Sequence, residues 1–247
     1  MENTRTTAAL ILNRQPYREA DSLVTVYSPS AGKLSLVARG TQKPGSKLAG
    51  HLEPLTLSDI MIVAGKGFDY LAGASGRKFY QGIRNDLNKL YYAGQALRIL
   101  NQRVGENQAE ECLFFLLADW LNALECLAGF RAEQGDLFLS FFIWRLLVEL
   151  GYQPEIYRCL DCHKPIEPGL NYFHLLKGGL ICPDCFLADQ KRPDFNSNYL
   201  LTVSDNCVKM IRFILGYSLA EITKVRIDKK TNKEIIDLAR RFLDYNF

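Results

Sequence analysis

The chain has 247 residues, 48% apolar and 23% charged, with Gly 18 and Pro 9. This composition excludes disordered, collagen-like and low-complexity classes and supplies enough apolar side chain for a sizeable core. The formal net charge of +3 is too small to indicate nucleic-acid binding by itself, although residues 1–82 are mildly basic and residues 83–150 acidic.

The first eighty or so residues read as β structure. Apolar and β-branched segments recur at 8–12, 23–27, 34–37, 55–63 and 68–72, separated by turn-rich clusters. Short strands at this spacing predict a small barrel or sandwich, and a Greek-key barrel of the OB type fits the count; such barrels often bind oligonucleotides. Gly65-Lys66-Gly67 lacks the spacing of a phosphate-binding loop and reads as a hairpin turn. The N-terminal apolar run stops at Asn13-Arg14, too short for a secretory signal, and no stretch has the 18 or so apolar residues of a membrane span.

From residue 83 the apolar period becomes helical. Leu87, Leu90, Tyr91, Gly94 and Leu97 predict one buried helix face, and Asn107 with Glu110 predicts a capped start for a helix carrying Leu113, Leu117, Trp120 and Leu124. A third helix is expected from near Asp136 to Gly151, a residue suited to a left-handed C-terminal position. Ser204 opens a helix ending near Gly216, and Thr231 with Glu234 forms a capping box before Ile235. The predicted architecture is α+β and multi-domain: a barrel over 1–80, helical structure over 81–155 and 191–247, and a cysteine-rich insertion over 156–190.

Cys159-Leu-Asp-Cys162 and Cys182-Pro-Asp-Cys185 lie nineteen residues apart. Two such pairs can bring four thiolates to tetrahedral positions about 2.3 Å from one zinc ion, with Tyr172-Phe173-His174 and Gly178-Gly179 forming a hairpin between them. An iron–sulfur cluster takes the same four ligands. Cys159–His163 matches the haem-attachment string, but this leaves the second pair unexplained. A closed four-cysteine site has no coordination position for water, so its expected role is structural. His163 and His174 read as loop and hairpin positions; Cys112, Cys126 and Cys207 are expected to be buried thiols.

Basic residues of the first segment flank its turns: Arg14, Arg18, Lys33, Arg39, Lys43, Lys47, Lys66, Arg77 and Lys78. A rim of this kind attracts phosphates by counterion release, and Tyr17, Phe68 and Tyr70 offer stacking faces for unpaired bases. The competing interpretation is a solvated surface over ordinary core aromatics. Metalloprotease, serine-hydrolase, kinase and dinucleotide-binding signatures are missing, so a binding protein is expected rather than an enzyme.

The opening Ala9-Leu-Ile-Leu-Asn-Arg-Gln-Pro-Tyr-Arg-Glu-Ala-Asp21 and Gly32-Lys-Leu-Ser-Leu-Val-Ala-Arg-Gly40 resemble the RecO family of bacterial recombination mediators. So do Lys43-Pro44, Ser46-Lys47, Leu52-Glu53-Pro54, Leu150-Gly-Tyr-Gln-Pro154 and the paired cysteines, in order and over nearly the whole chain. The resemblance implies an N-terminal OB-fold, a helical domain and an inserted four-cysteine zinc module. It also implies a cytoplasmic, nucleoid-associated protein that binds single- and double-stranded DNA and anneals complementary strands. The implied protein partners are the acidic tail of single-stranded DNA-binding protein (SSB) and RecR, with which such proteins help load RecA at gaps. On this likeness Arg14, Lys33, Arg39, Lys43 and Lys47 are the implied DNA contacts, and Cys159, Cys162, Cys182 and Cys185 the zinc ligands. Family members often carry more basic residues after the Arg39-Gly40 match, where this chain has Gln42 and Gly45, so Lys66, Arg77 and Lys78 are candidates to share the load. The alternative is a zinc-containing protein–protein adaptor whose DNA contact is incidental.

Overall fold

A computed structural model describes residues 4–192 and 195–247, which divide into two compact units, 1–129 and 130–247. In the first unit β1 (Thr4–Tyr17), β2 (Asp21–Ser28), β3 (Gly32–Ala38), β4 (Leu57–Val63) and β5 (Asp69–Lys78) close into a barrel in the order β1-β2-β3-β5-β4. The pairs are antiparallel except β3 with β5, where Val37 lies opposite Tyr70. This is the expected OB-type barrel. All five anticipated strands form, and β1 and β5 extend well beyond the segments read from apolar runs.

Alternation specifies which side of each strand faces inward. Ala9, Ile11, Val24, Val26, Leu34, Leu36, Ile60, Ile62 and Leu71 fill the interior. Leu52, from a short 3-10 turn over Ala49–Leu52, joins the same cluster and is fully buried. A register shift between Ile11 and Asn13 lets β1 pair with β4 along one half and β2 along the other, as bulges commonly do in small barrels.

Three helices pack in the same unit: α1 (Gln81–Arg84), α2 (Leu87–Arg103) and α3 (Glu111–Cys126). Of the predicted face of α2 only Leu97 is buried. Leu87 is 83% exposed and Leu90 and Tyr91 are also exposed, whereas Lys89, Tyr92, Ala93, Ala96 and Leu100 are buried. The Lys89 ammonium reaches the carbonyl of Glu125 at 3.0 Å, so its stem lines the interior while its charge finds an acceptor. Asn107 does not cap α3 either. It sits at φ +60, and its amide donates to the Lys33 carbonyl. The segment around it runs so close to β3 that a Cβ on Gly32, itself at φ +68, would collide with the Gln108 carbonyl.

The second unit is built on α4 (Ala132–Glu149), buried on nearly every side, with α6 (Asp205–Gly216), α7 (Leu219–Ile222) and α8 (Lys229–Asn246). Gly151 follows α4 at φ +88, and Ser204 caps α6 by accepting from the Cys207 amide, as the sequence predicts. Thr231 and Glu234 do not form a capping box. Asp228 caps α8 through the Thr231 amide and hydroxyl, and Glu234 instead accepts two 2.6 Å hydrogen bonds from Ser204.

The predicted hairpin is β6 (Asn171–His174) with β7 (Gly179–Ile181), and β8 (Leu200–Val203) adds an unanticipated third strand on the other side of β6. Phe173 fastens this sheet to the helices. It is fully buried, with its ring 6.1 Å from that of Trp144 and 5.1 Å from that of Phe242. No described helix is long and apolar enough to cross a membrane.

Candidate metal centre and nucleic-acid interface

The four cysteines predicted as metal ligands come together. Cys159 and Cys162 lie on the turn before the hairpin; Cys182 caps α5 (Pro183–Asp189) and Cys185 lies in its first turn. Their sulfur atoms all lie within 4.8 Å of one another, and Cys162 and Cys182 are 3.8 Å apart at sulfur. Four metal–sulfur bonds of about 2.3 Å directed to a tetrahedron require sulfur separations of about 3.8 Å. The donor set therefore fits one tetrahedral ion. His163 and His174 lie outside the cluster: the first is exposed, and the second stacks on Tyr199 and accepts from the Lys177 amide.

Backbone geometry prepares the site. Burial pushes the Cys159 thiol up, but the amides of Cys162, Cys182 and Asp161 outweigh it and bring the group down to about 7. Burial, followed by the neighbouring thiols, pushes Cys185 up. Four sulfurs this close cannot all carry charge without a cation between them, and a bound ion removes that conflict. Outside the cluster, Cys207 is buried as expected, but Cys112 and Cys126 are exposed. Both sit on the outer face of α3, where the spacing of fourteen residues gave no indication of which side faced inward.

The predicted DNA contacts separate into two groups. Arg14, with a side chain only 15% exposed, is committed to the fold. Its guanidinium donates to the carbonyls of Thr41 and Ala49, to the Ser22 hydroxyl and to the Glu53 carboxylate. Lys33 is half-buried: its ammonium donates to the Asn101 carbonyl in the last turn of α2 at 2.8 Å, and the segment after α2 runs beside β3. Both side chains are engaged by acceptors within the unit.

Arg39, Lys43 and Lys47 are exposed on the loop that Arg14 secures. Arg18, also exposed, projects from the β1–β2 turn, and Lys66 from the β4–β5 turn. Of the other candidates, Arg77 is paired with Asp59 and Lys78 donates to Asn122 at 2.7 Å. Aromatic rings lie among the exposed cations. Arg18 sits 5.1 Å from the Tyr17 ring centre, Arg39 sits 4.2 Å from that of Tyr70, and Tyr17 meets Phe68 edge-on at 6.1 Å.

Sequence reasoning missed Arg84, which donates to the carbonyls of Phe79, Pro54 and Leu55 and so ties the helical segment to the barrel. It also missed Glu125, which accepts from the amides of Gly82 and Ile83. Neither has a local sequence signal, because every one of these partners except Phe79 lies far away along the chain.

Family models described as Recombination protein O N terminal and Recombination protein O C terminal match residues 1–80 and 84–247. A protein named DNA repair protein RecO from Dehalococcoides mccartyi is 31% identical over 229 residues, covering 93% of this chain and 85% of that protein. A protein of the same name from Roseiflexus sp. is 31% identical over 237 residues, 96% of this chain and 79% of its own length. One from Desulforamulus reducens is 28% identical over 237 residues, with 96% and 87% covered. With the barrel, the helical unit and the four-cysteine cluster, these matches establish that the chain belongs to the recombination protein O family.

Proposed function

We propose that this protein acts in DNA repair as a non-enzymatic recombination mediator that binds single- and double-stranded DNA and anneals complementary strands. The observation that carries the reading is the group of exposed cations Arg18, Arg39, Lys43, Lys47 and Lys66 on turns of an OB-type barrel, a fold whose β1–β2 and β4–β5 loops commonly hold oligonucleotides. Annealing requires two polyanions to approach each other. Cations that neutralise phosphates lower this repulsion and leave base edges free to pair. The free energy comes from binding, so no nucleotide is consumed.

We infer zinc as the ion at Cys159, Cys162, Cys182 and Cys185, on the strength of the all-thiolate tetrahedral donor set. Its work is to hold the polar turn and α5 against the hairpin; with every ligand position taken by sulfur, it activates no water. The proposed protein partners follow from family membership: the acidic tail of SSB, and RecR, with which the protein would help load RecA at gaps in the bacterial cytoplasm. For an acidic, apolar tail, α2 offers exposed Leu87, Leu90 and Tyr91 on the face that continues to the exposed Arg98.

The test is annealing of complementary oligonucleotides coated with SSB from the same organism, in the absence of nucleotide. The native protein accelerates the reaction, and Lys43→Glu with Lys47→Glu abolishes the acceleration while leaving the fold and metal content intact. Full activity in the double variant contradicts the mediator reading and favours an adaptor whose DNA contact is incidental.

A further inference from the structure

We infer that Phe68 is a base-stacking platform that selects unpaired strands over duplex. The inference rests on the DNA-binding reading above and names the chemistry that would discriminate at that site: the π-face of an unstacked nucleobase.

The three aromatic rings near the exposed cations differ in what remains available. Tyr70 is half-buried, with Arg39 lying over its ring and the backbone of Gly65 close to its ring edge: a Cβ on Gly65 would meet Tyr70 Cε2 at 2.8 Å. Tyr17 is half-buried and carries Arg18. Phe68 is 47% exposed, and its contact with Tyr17 is edge-to-face, at an interplanar angle of 62°. An edge contact supports a ring without covering both of its faces.

Phe68 also sits on a braced turn. It ends the five-residue β4–β5 turn, which is closed by the Gly65 amide donating to the Asp69 carboxylate at 3.3 Å, and Asp69 is in turn 3.6 Å from Arg5. An exposed phenyl ring gains little by touching phosphates. A flipped-out base, in contrast, gains stacking free energy on it in a sequence-tolerant way. Arg18 and Arg39 beside the rings supply charge for the flanking phosphates.

An interior base cannot stack on Phe68 and remain paired within a duplex. Strand pairing therefore withdraws bases from the platform, and the annealed product binds through the cations alone. The platform thus gives an annealing protein a basis for holding its substrate more tightly than its product.

The experiment compares binding to an oligo-dT of about 16 nucleotides, the upper site size for one such barrel, with an abasic strand and a duplex of equal length. Phe68→Leu, which keeps apolar bulk against Tyr17 and removes the π-face, is expected to weaken oligo-dT binding roughly five-fold or more, and to leave abasic and duplex binding nearly unchanged. Phe68→Trp is expected to restore oligo-dT binding. The native Trp120 and Trp144 are fully buried, so quenching of a new exposed indole by oligo-dT, and not by the abasic strand, reports stacking at this position. Equal oligo-dT affinity in Phe68→Leu and the native protein overturns the proposal, as does an equal loss on all ligands. A native protein that binds no DNA overturns the underlying reading instead, so the two failures are distinguishable.

Discussion

The Arg14 guanidinium donates to the carbonyl of Thr41 at 3.0 Å, joining the end of β1 to the loop that carries Lys43 and Lys47. Arg14 accordingly secures that loop from within the fold. Arg14→Ala is expected to cost about 2–3 kcal/mol of stability, since it leaves buried acceptors without their charged donor. Denaturant unfolding measures this. A phosphate-contact role predicts the opposite pattern, with stability retained and the salt dependence of DNA binding reduced by about one ion.

Lys33 makes a similar distinction on the outer face of β3. Lys33→Met removes the hydrogen bond to the Asn101 carbonyl and is expected to cost roughly 1 kcal/mol of stability, with DNA affinity and its salt dependence unchanged. Anisotropy titrations at several salt concentrations check this.

The metal site predicts a definite thiol inventory. In metal-loaded protein, exposed Cys112 and Cys126 react quickly with a thiol reagent, and buried Cys207 reacts only on unfolding. A chelator adds four further reactive groups, Cys159, Cys162, Cys182 and Cys185, and releases one zinc per chain. Cys159→Ser leaves the turn over 156–165 and α5 without their common anchor, read as protease sensitivity in that module. Fast reaction of all the paired cysteines before chelation contradicts a closed site.

The cap of α8 sets a pH dependence. The Thr231 hydroxyl, followed by its amide, holds the Asp228 carboxyl below its usual value of 3.8. A carboxylate with a depressed folded value stabilises the native state above that usual value and loses its contribution as the pH falls through the lower one. Asp228→Asn is therefore expected to reduce stability at neutral pH and to flatten the acid limb of the stability profile, measured by thermal unfolding between about pH 2 and 7.

Features imposed by local chemistry were legible in the sequence. The cysteine pairs announced themselves because a metal constrains neighbouring positions, and the strands did so because apolar and β-branched runs such as Leu23–Tyr27 stand between turn-rich clusters. The burial of α2 was not legible. Leu87, Leu90 and Tyr91 form a regular apolar stripe, but Ala93 and Ala96 line the buried face together with Lys89, whose ammonium donates to the backbone carbonyl of Glu125 in another helix. The same limit applied to the cations. Arg14 and Arg39 look alike in a motif, yet one is enclosed by a loop folded over it and the other rests on an aromatic ring at the surface. That difference depends on chain far away in sequence.

The most direct test of the central claim is the salt dependence of duplex binding, comparing the native protein with the Lys43→Glu and Lys47→Glu double variant. If Arg18, Arg39, Lys43, Lys47 and Lys66 all meet phosphates, the log–log slope for the native protein is about −4 to −5, and the double variant is shallower by about two. A native slope near zero, or a slope unchanged by the two reversals, contradicts DNA recognition by these loops.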